Sequence, residues 1–343
     1  MRRRLPPTDA DTAAVLRHYD VGPPLTCTAS GGTANVNALV TTGQGTFFLR
    51  RRNPKYTGPD VLDFDHRLQK HLARRGMCTP LALTTRDGGS WVRLDESVYE
   101  LYPYTEGHGH DRESLAQIVD AARQLARFHV ATADFDGRAQ KQWPRYDSPA
   151  LIVEGLREAW ARAASSGERG RIGWLFEQVD RLAACLPDAL YQSLPACVIH
   201  GDYHPGNLKF RGDAVVGVFD LDWATRQPRA RDLADGLWFS AARRRTDIDD
   251  RDIASLTQAP ELDTDRSIAF LRAYLEFGRI EEAELQALPD FMRARWLYCR
   301  VAGMSKVPEE QRVAFLLHEV EGPLRVLDEG GDELVRGLSA LLG

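Results

Sequence analysis

The chain is poor in cysteine: five residues in 343 (Cys27, Cys78, Cys185, Cys197 and Cys299), each standing alone. An odd, scattered set with no C-x-x-C pair excludes a disulfide framework and a cysteine zinc site, and points to reduced thiols in the cytoplasm. Long apolar runs are missing too, since none approaches the roughly 18 residues of a membrane span. Arg2, Arg3 and Arg4 would open a signal peptide, but Pro6, Pro7, Thr8 and Asp9 stand where its apolar stretch belongs. There is no excess of positive charge. The net value is −5, which excludes broad binding to nucleic acid. No repeat or low-complexity tract occurs, and an ordinary apolar content of 43% excludes disorder for most of the chain.

What is present divides in two. Residues 1–105 carry 14 Lys and Arg against 10 Asp and Glu, whereas residues 106–343 carry 30 against 39. A basic front suits an anionic cofactor, and an acidic back suits a neutral or cationic substrate. Short β-rich runs occupy 25–29, 37–42 and 46–51, with glycine punctuation between them. A helical pattern follows at 60–75, then strand candidates at 81–85 and 91–104, the latter broken around Asp95-Glu96-Ser97. After Gly107 helical spacing dominates (113–133, 151–186 and beyond Asp232), interrupted by one β-rich island at 196–200, 208–210 and 215–219. The expected architecture is α+β. A small antiparallel-sheet lobe (1–103) precedes a larger, mainly helical lobe (104–343), and they join near 102–107.

The island carries the chemistry. It reads His200-Gly201-Asp202-Tyr203-His204-Pro205-Gly206-Asn207, then Val216-Gly217-Val218-Phe219-Asp220-Leu221-Asp222-Trp223. A strand delivers an Asp into a loop, an Asn follows five residues later, and a second strand ends in another Asp. Phosphoryl transfer needs such a set: one carboxylate to orient the acceptor hydroxyl and take its proton, another with an amide oxygen to hold Mg²⁺ against the phosphates. Asp, Asn, Gly and Pro also favour plain surface turns, but not in this full order between two apolar strands.

At this point the sequence resembles the aminoglycoside phosphotransferase and choline kinase superfamily, which shares its core with protein kinases. The resemblance spans roughly residues 25–240 and implies a bilobal, protein-kinase-like fold with ATP or GTP as donor. It implies Asp202 as catalytic base, Asn207 and Asp220 as Mg²⁺ ligands, His200 as a structural partner of the loop and Asp232 as a buried hydrogen-bonding carboxylate. Asp222 would face the acceptor or assist the metal. Ser30, Gly31, Gly32, Thr33 and Asn35 fall where the family's nucleotide-covering loop belongs. Arg50 takes the place of its strand-three cation, with Asp65 as acidic partner. Leu101, Tyr102 and Pro103 resemble its hinge against the adenine edge. Strand alternation puts Arg50 and Arg52 on one face.

The family's acceptors are hydroxyls of small molecules, among them aminoglycosides, choline, homoserine and amino sugars. The acidic run Asp247-Ile248-Asp249-Asp250-Arg251-Asp252 would favour an amine-bearing acceptor or would be a solvated loop. Tyr203, Trp223 and Trp238 would stack on the acceptor or pack in the core. His129 reads as a packed helix residue. Two other readings stand beside the small-molecule kinase. A nucleotide-binding pseudokinase acting as a regulatory module is opposed by intact Asp202, Asn207 and Asp220; a protein kinase is opposed by the short path from Asp220 into the next helix. Expected partners are a nucleoside triphosphate and a small acceptor, without nucleic acid or membrane.

Overall fold

The structure, a computed structural model, describes residues 7–31, 35–136, 141, 145, 148–246 and 252–341. Gly32 and Thr33 of the expected nucleotide loop, and Asp247, Asp249, Asp250 and Arg251 of the acidic run, lie outside the described residues. In chain order the elements are α1 (Asp9–Leu16), β1 (Pro24–Ser30), β2 (Val36–Thr42), β3 (Gly45–Arg51), α2 (Pro59–Arg74), β4 (Val92–Leu94), β5 (Ser97–Pro103) and α3 (Leu115–Thr132). Next come α4 (Pro149–Arg162), α5 (Ser166–Cys185), α6 (Asp188–Ser193), β6 (Ala196–Ile199), β7 (Leu208–Arg211), β8 (Ala214–Val218), β9 (Thr225–Pro228) and α7 (Ala230–Gly236). The last are α8 (Ile253–Leu256), α9 (Thr264–Leu275), α10 (Glu282–Gly303), α11 (Arg312–Leu317) and α12 (Glu321–Ser339). No helix among the described residues is long and apolar enough to cross a membrane.

Two compact units form. The first holds residues 1–109, 135–141 and 208–222; the second holds 110–134, 142–207 and 223–343. A single cut at 103/104 was expected, and the units instead interleave. The β7–β8 hairpin sits with the sheet unit because its backbone bonds there: the N–H of His108 donates to the Phe210 carbonyl at 2.9 Å and that of Val218 to Cys78 at 3.0 Å.

The first unit is built on an antiparallel sheet in the order β1-β2-β3-β5-β4. Alternation sends Ala38, Val40, Leu49 and Leu101 inward, where Val15 and Leu16 of α1 and Tyr19 just beyond it close the core. On α2, Leu62, Leu68 and Leu72 recur at helical spacing and are buried. The run at 81–85 forms no strand. It gives one bond, Leu83 N–H to the Leu101 carbonyl at 2.7 Å, before Thr85 turns back through its bond to Gly89. The expected break between β4 and β5 is a tight turn with Asp95 in the left-handed region at φ 49°.

In the second unit α3 buries Ile118, Ala122, Leu125 and Phe128 and packs against α9 and β6. Strand β9 has no counterpart in the sequence reading. It pairs antiparallel with β6, Cys197 opposite Gln227 and Val198 opposite Arg226. Its Thr-Arg-Gln-Pro composition hides it, since the polar Gln227 is buried, its side-chain oxygen accepting a 2.9 Å bond from the Tyr191 hydroxyl.

Candidate active site

Strand β6 ends by feeding His200 and Gly201 into the loop over 200–207, the expected catalytic loop. Gly201 adopts φ +79°, and a Cβ there would lie 2.4 Å from the Trp223 carbonyl oxygen. Only glycine fits. Gly201→Ala should therefore destabilise the fold by about 1–3 kcal/mol, the usual cost of a strained backbone position, and displace the loop; a denaturant midpoint within error of wild type would contradict this.

Asp232, at the start of α7, is fully buried and accepts from the backbone N–H groups of His200 (2.6 Å) and Gly201 (2.8 Å). Its second partner is His129 on α3, whose Nε2 lies 3.1 Å away while its Nδ1 meets the Tyr274 hydroxyl at 2.8 Å. Burial alone would raise the Asp232 carboxyl, but His129 and the loop hold it below the usual range. Asp232 is thus spent on pinning the loop.

Asp202 sits beyond that anchor. Its N–H donates to His200 Nδ1 at 3.3 Å, its carboxylate accepts from Arg295 of α10, and His204 Nε2 lies 3.5 Å away. Burial opposes its ionisation, yet His204 and Arg295 keep it far below the ordinary carboxylate value. The Asn207 amide nitrogen donates to the Asp202 carbonyl at 2.9 Å, which leaves the amide oxygen as the group able to meet a cation. Arg295 escaped the sequence reading. It is one of 44 Lys and Arg, in a region that matches no motif, and only folding brings it to Asp202.

In the first unit the expected pairing of Arg50 with Asp65 is corrected. Asp65 of α2 bonds Arg52 and Lys141, while Arg50 bonds Asp220 at 3.0 Å and Asp222 at 2.6 Å. Arg52 reaches Glu100 (2.9 Å) and Asp222 (3.0 Å) as well. The reason is depth. Arg52 lies past the end of β3 and is buried at the α2 side, where a short Asp can meet it, whereas Arg50 is carried toward the chain after β8. Burial opposes ionisation of Glu100, but Arg52 and His66 hold it well below its usual range. The Tyr102 hydroxyl donates to the same carboxylate at 3.0 Å.

Asp222 is not turned outward. It is buried, takes Arg50 and Arg52, and accepts from the Asn35 amide at 2.8 Å. Asn35 in turn accepts the Asn53 N–H at 2.9 Å, so its side chain organises the network. Asp220 adopts φ 60° and its side chain is 36% exposed. Ser30 closes β1, and the Gly31 carbonyl accepts from Asn37 at 2.7 Å. Of the residues expected at the hinge, Leu101 spends its carbonyl on Leu83; strand alternation turns the Pro103 carbonyl to that same outer edge. Tyr203 and Trp238 are core residues at 0% and 1% exposure.

Among the described residues no cluster of three His, Cys, Asp or Glu could hold a metal by itself. Asn207 in the second unit and Asp220 in the first each offer oxygen donors only, the kind that hard cations take.

The family model described as the phosphotransferase enzyme family matches residues 26–277. The chain belongs to that family. A homoserine kinase of Mesorhizobium japonicum is 30% identical over 66% of this chain and 68% of its own length. The fold is shared with an aminoglycoside phosphotransferase from Alicyclobacillus acidocaldarius, at TM-score 0.66 and 16% identity over 99% of this chain and 97% of that one. It is shared also with an amicoumacin kinase solved with AMP-PNP, Ca²⁺ and Ami, at TM-score 0.62 and 16% identity over 90% of each chain.

One further carboxylate distinguishes the loop of this phosphotransferase. Asp235 of α7 lies 3.3 Å from Arg295 Nε. Burial pushes it up to about 7, against the pull of Arg295. The folded protein therefore keeps this proton up to neutrality, while the unfolded chain releases it near 3.8. With fewer protons bound in the unfolded state, stability falls as pH rises through that window. Asp235→Asn should flatten the fall, so its melting temperature gains on wild type between pH 5 and pH 8. Parallel curves for the two proteins would contradict the assignment.

Proposed function

We propose that this phosphotransferase moves the terminal phosphate of ATP to the hydroxyl of a small amine-bearing acceptor, homoserine being the acceptor named for the relative at 30% identity. Membership of the family makes the chain a small-molecule kinase with an alcohol as acceptor. The observation that carries the reading is Asp202. It is held ionised and partly exposed at the tip of a pinned loop, whereas Asp232 in the same unit and Asp222 in the other are consumed by internal bonds. An ionised, fixed carboxylate is what a hydroxyl needs for alignment and proton removal as it attacks.

The remaining roles follow the family order. Asn207 and Asp220 would hold Mg²⁺, which when bound supplies charge neutralisation on the phosphates. Arg50 provides fixed positive charge for the same phosphates, held in place by Asp220 and Asp222. The segment Ser30, Gly31, Gly32 and Thr33 would cover the nucleotide with backbone N–H groups, with Asn35 bracing its return. Leu101, Tyr102 and Pro103 would flank the base, with Pro103 offering its carbonyl. We place the protein in the cytoplasm, in keeping with five free cysteines.

The test is acceptor-dependent ADP release with Mg-ATP across amino acids with a side-chain hydroxyl, amino alcohols and aminoglycosides. Product masses should rise by one phosphate for at least one amine-bearing alcohol. ATP binding without transfer to any hydroxyl compound would favour the pseudokinase reading and sink this one.

A further inference from the structure

Beside the catalytic loop, in the second unit, α7 runs on into a single wide turn over 237–241, closed by the Ala242 N–H on the Leu237 carbonyl at 2.9 Å. Such π-type turns cost regular helical bonding and recur where a side chain must be placed. Here the turn presents Phe239. Three groups surround its ring: the Arg295 guanidinium at 5.1 Å, the Arg244 guanidinium at 5.0 Å and the His204 ring at 5.8 Å. Arg295 and His204 both also meet the Asp202 carboxylate.

Arg244 has no counterpart to that carboxylate. Its Nη2 donates to the Trp238 carbonyl at 2.8 Å, but Nε and Nη1 are buried without an acceptor. Among the described residues no carboxylate pairs with it. Burial pulls its guanidinium down to about 10, opposed only weakly by Cys299. A cation held this way costs stability unless an anion completes it. Local charge agrees. Arg295 meets Asp202 and an Asp235 that burial pushes up to about 7, while Arg244, on the same Phe239 ring, meets no carboxylate among the described residues. A guanidinium fork is the side chain best shaped for a planar carboxylate.

We propose that Arg244, with Arg295 beside it on Phe239, reads an anionic group of the acceptor, so that the acceptor is a hydroxy acid bearing a carboxylate as well as its amine. The inference rests on the kinase reading above and names the part of the acceptor that this reading leaves open. An acceptor whose hydroxyl meets Asp202 presents its carboxylate to the guanidinium groups around Phe239. An aminoglycoside or simple amino alcohol has nothing to give them.

The experiment measures initial rates with Mg-ATP and three acceptors: L-homoserine, 3-aminopropan-1-ol and 4-hydroxybutanoate. Wild type, Arg244→Met and Arg244→Lys are compared, each checked by melting temperature. Wild type should prefer L-homoserine to 3-aminopropan-1-ol in kcat/KM. Arg244→Met should raise the KM for L-homoserine by about 10–100-fold, the loss of a charged hydrogen bond, with kcat and the KM for ATP within about twofold. Its rate with 3-aminopropan-1-ol should not move, and Arg244→Lys should recover part of the loss. Equal use of the amino alcohol by wild type, or an equal loss for all acceptors in Arg244→Met, overturns the proposal and leaves the kinase standing. No acceptor-dependent ADP release from any hydroxyl compound overturns the kinase reading and this inference with it.

Discussion

Asp202→Asn should lower kcat by about 10²–10⁴-fold, the range for losing a positioned general base, while ATP binding stays close to wild type. The asparagine keeps the size and the hydrogen bonds to the loop, but it accepts no proton and no longer attracts Arg295. The fold is preserved because the loop is pinned elsewhere, by Asp232 on the backbone of His200 and Gly201. The matching control is Asp232→Asn, which should lose stability before anything else. The two carboxylates lie in one loop environment and separate by role: Asp232 is fully buried on the loop backbone, whereas Asp202 keeps 24% of its side chain exposed. Steady-state rates together with calorimetric ATP titration check the claim. A kcat within about tenfold of wild type would remove Asp202 from the chemistry.

The largest loss of stability belongs to Asp222. It is 3% exposed and meets Arg50, Arg52 and Asn35, and burial is more than offset by Arg50, Arg52 and Lys141, which hold it ionised. Asp222→Asn removes a negative charge from among three cations. Breaking a buried pair by deleting one partner costs about 3–5 kcal/mol, because the stranded charge has no water to return to. The sign follows for pH as well. A carboxyl depressed on folding stabilises above its unfolded value, and that stability is lost as pH falls through its folded value. A surface pair gives the contrast: Glu276→Gln, which breaks the exposed bond to Arg123, should leave the denaturant midpoint nearly unchanged. If both variants shift the midpoint alike, the network around Asp222 is not the anchor described above.

Much of this was legible because the informative signals are local. Strand–turn spacing gave β1 to β3, α2 and the island; the spacing of Asp202, Asn207 and Asp220 suggested the chemistry proposed above. The parts that stayed hidden depend on distance along the chain. Arg52 and Arg50 share a face by alternation, but which of them takes Asp65 depends on depth in the fold. Lys141 joins that cluster from 76 residues beyond Asp65, with no pattern around it. Arg295 reaches Asp202 across 93 residues. Strand β9 is held by one polar pair and a partner strand, and its composition reads as loop. Arg244 was only one charge in a basic stretch until the turn over 237–241 placed Phe239 beside it.

The most direct test of the central claim pairs two proteins in one assay. ADP release with Mg-ATP is followed in wild type and Asp202→Asn, with and without a hydroxyl acceptor such as L-homoserine, alongside an ATP titration of both. The expected result is acceptor-dependent release in wild type, its near disappearance in Asp202→Asn, and equal ATP affinity. Release that ignores the acceptor, or that survives intact in Asp202→Asn, would contradict it.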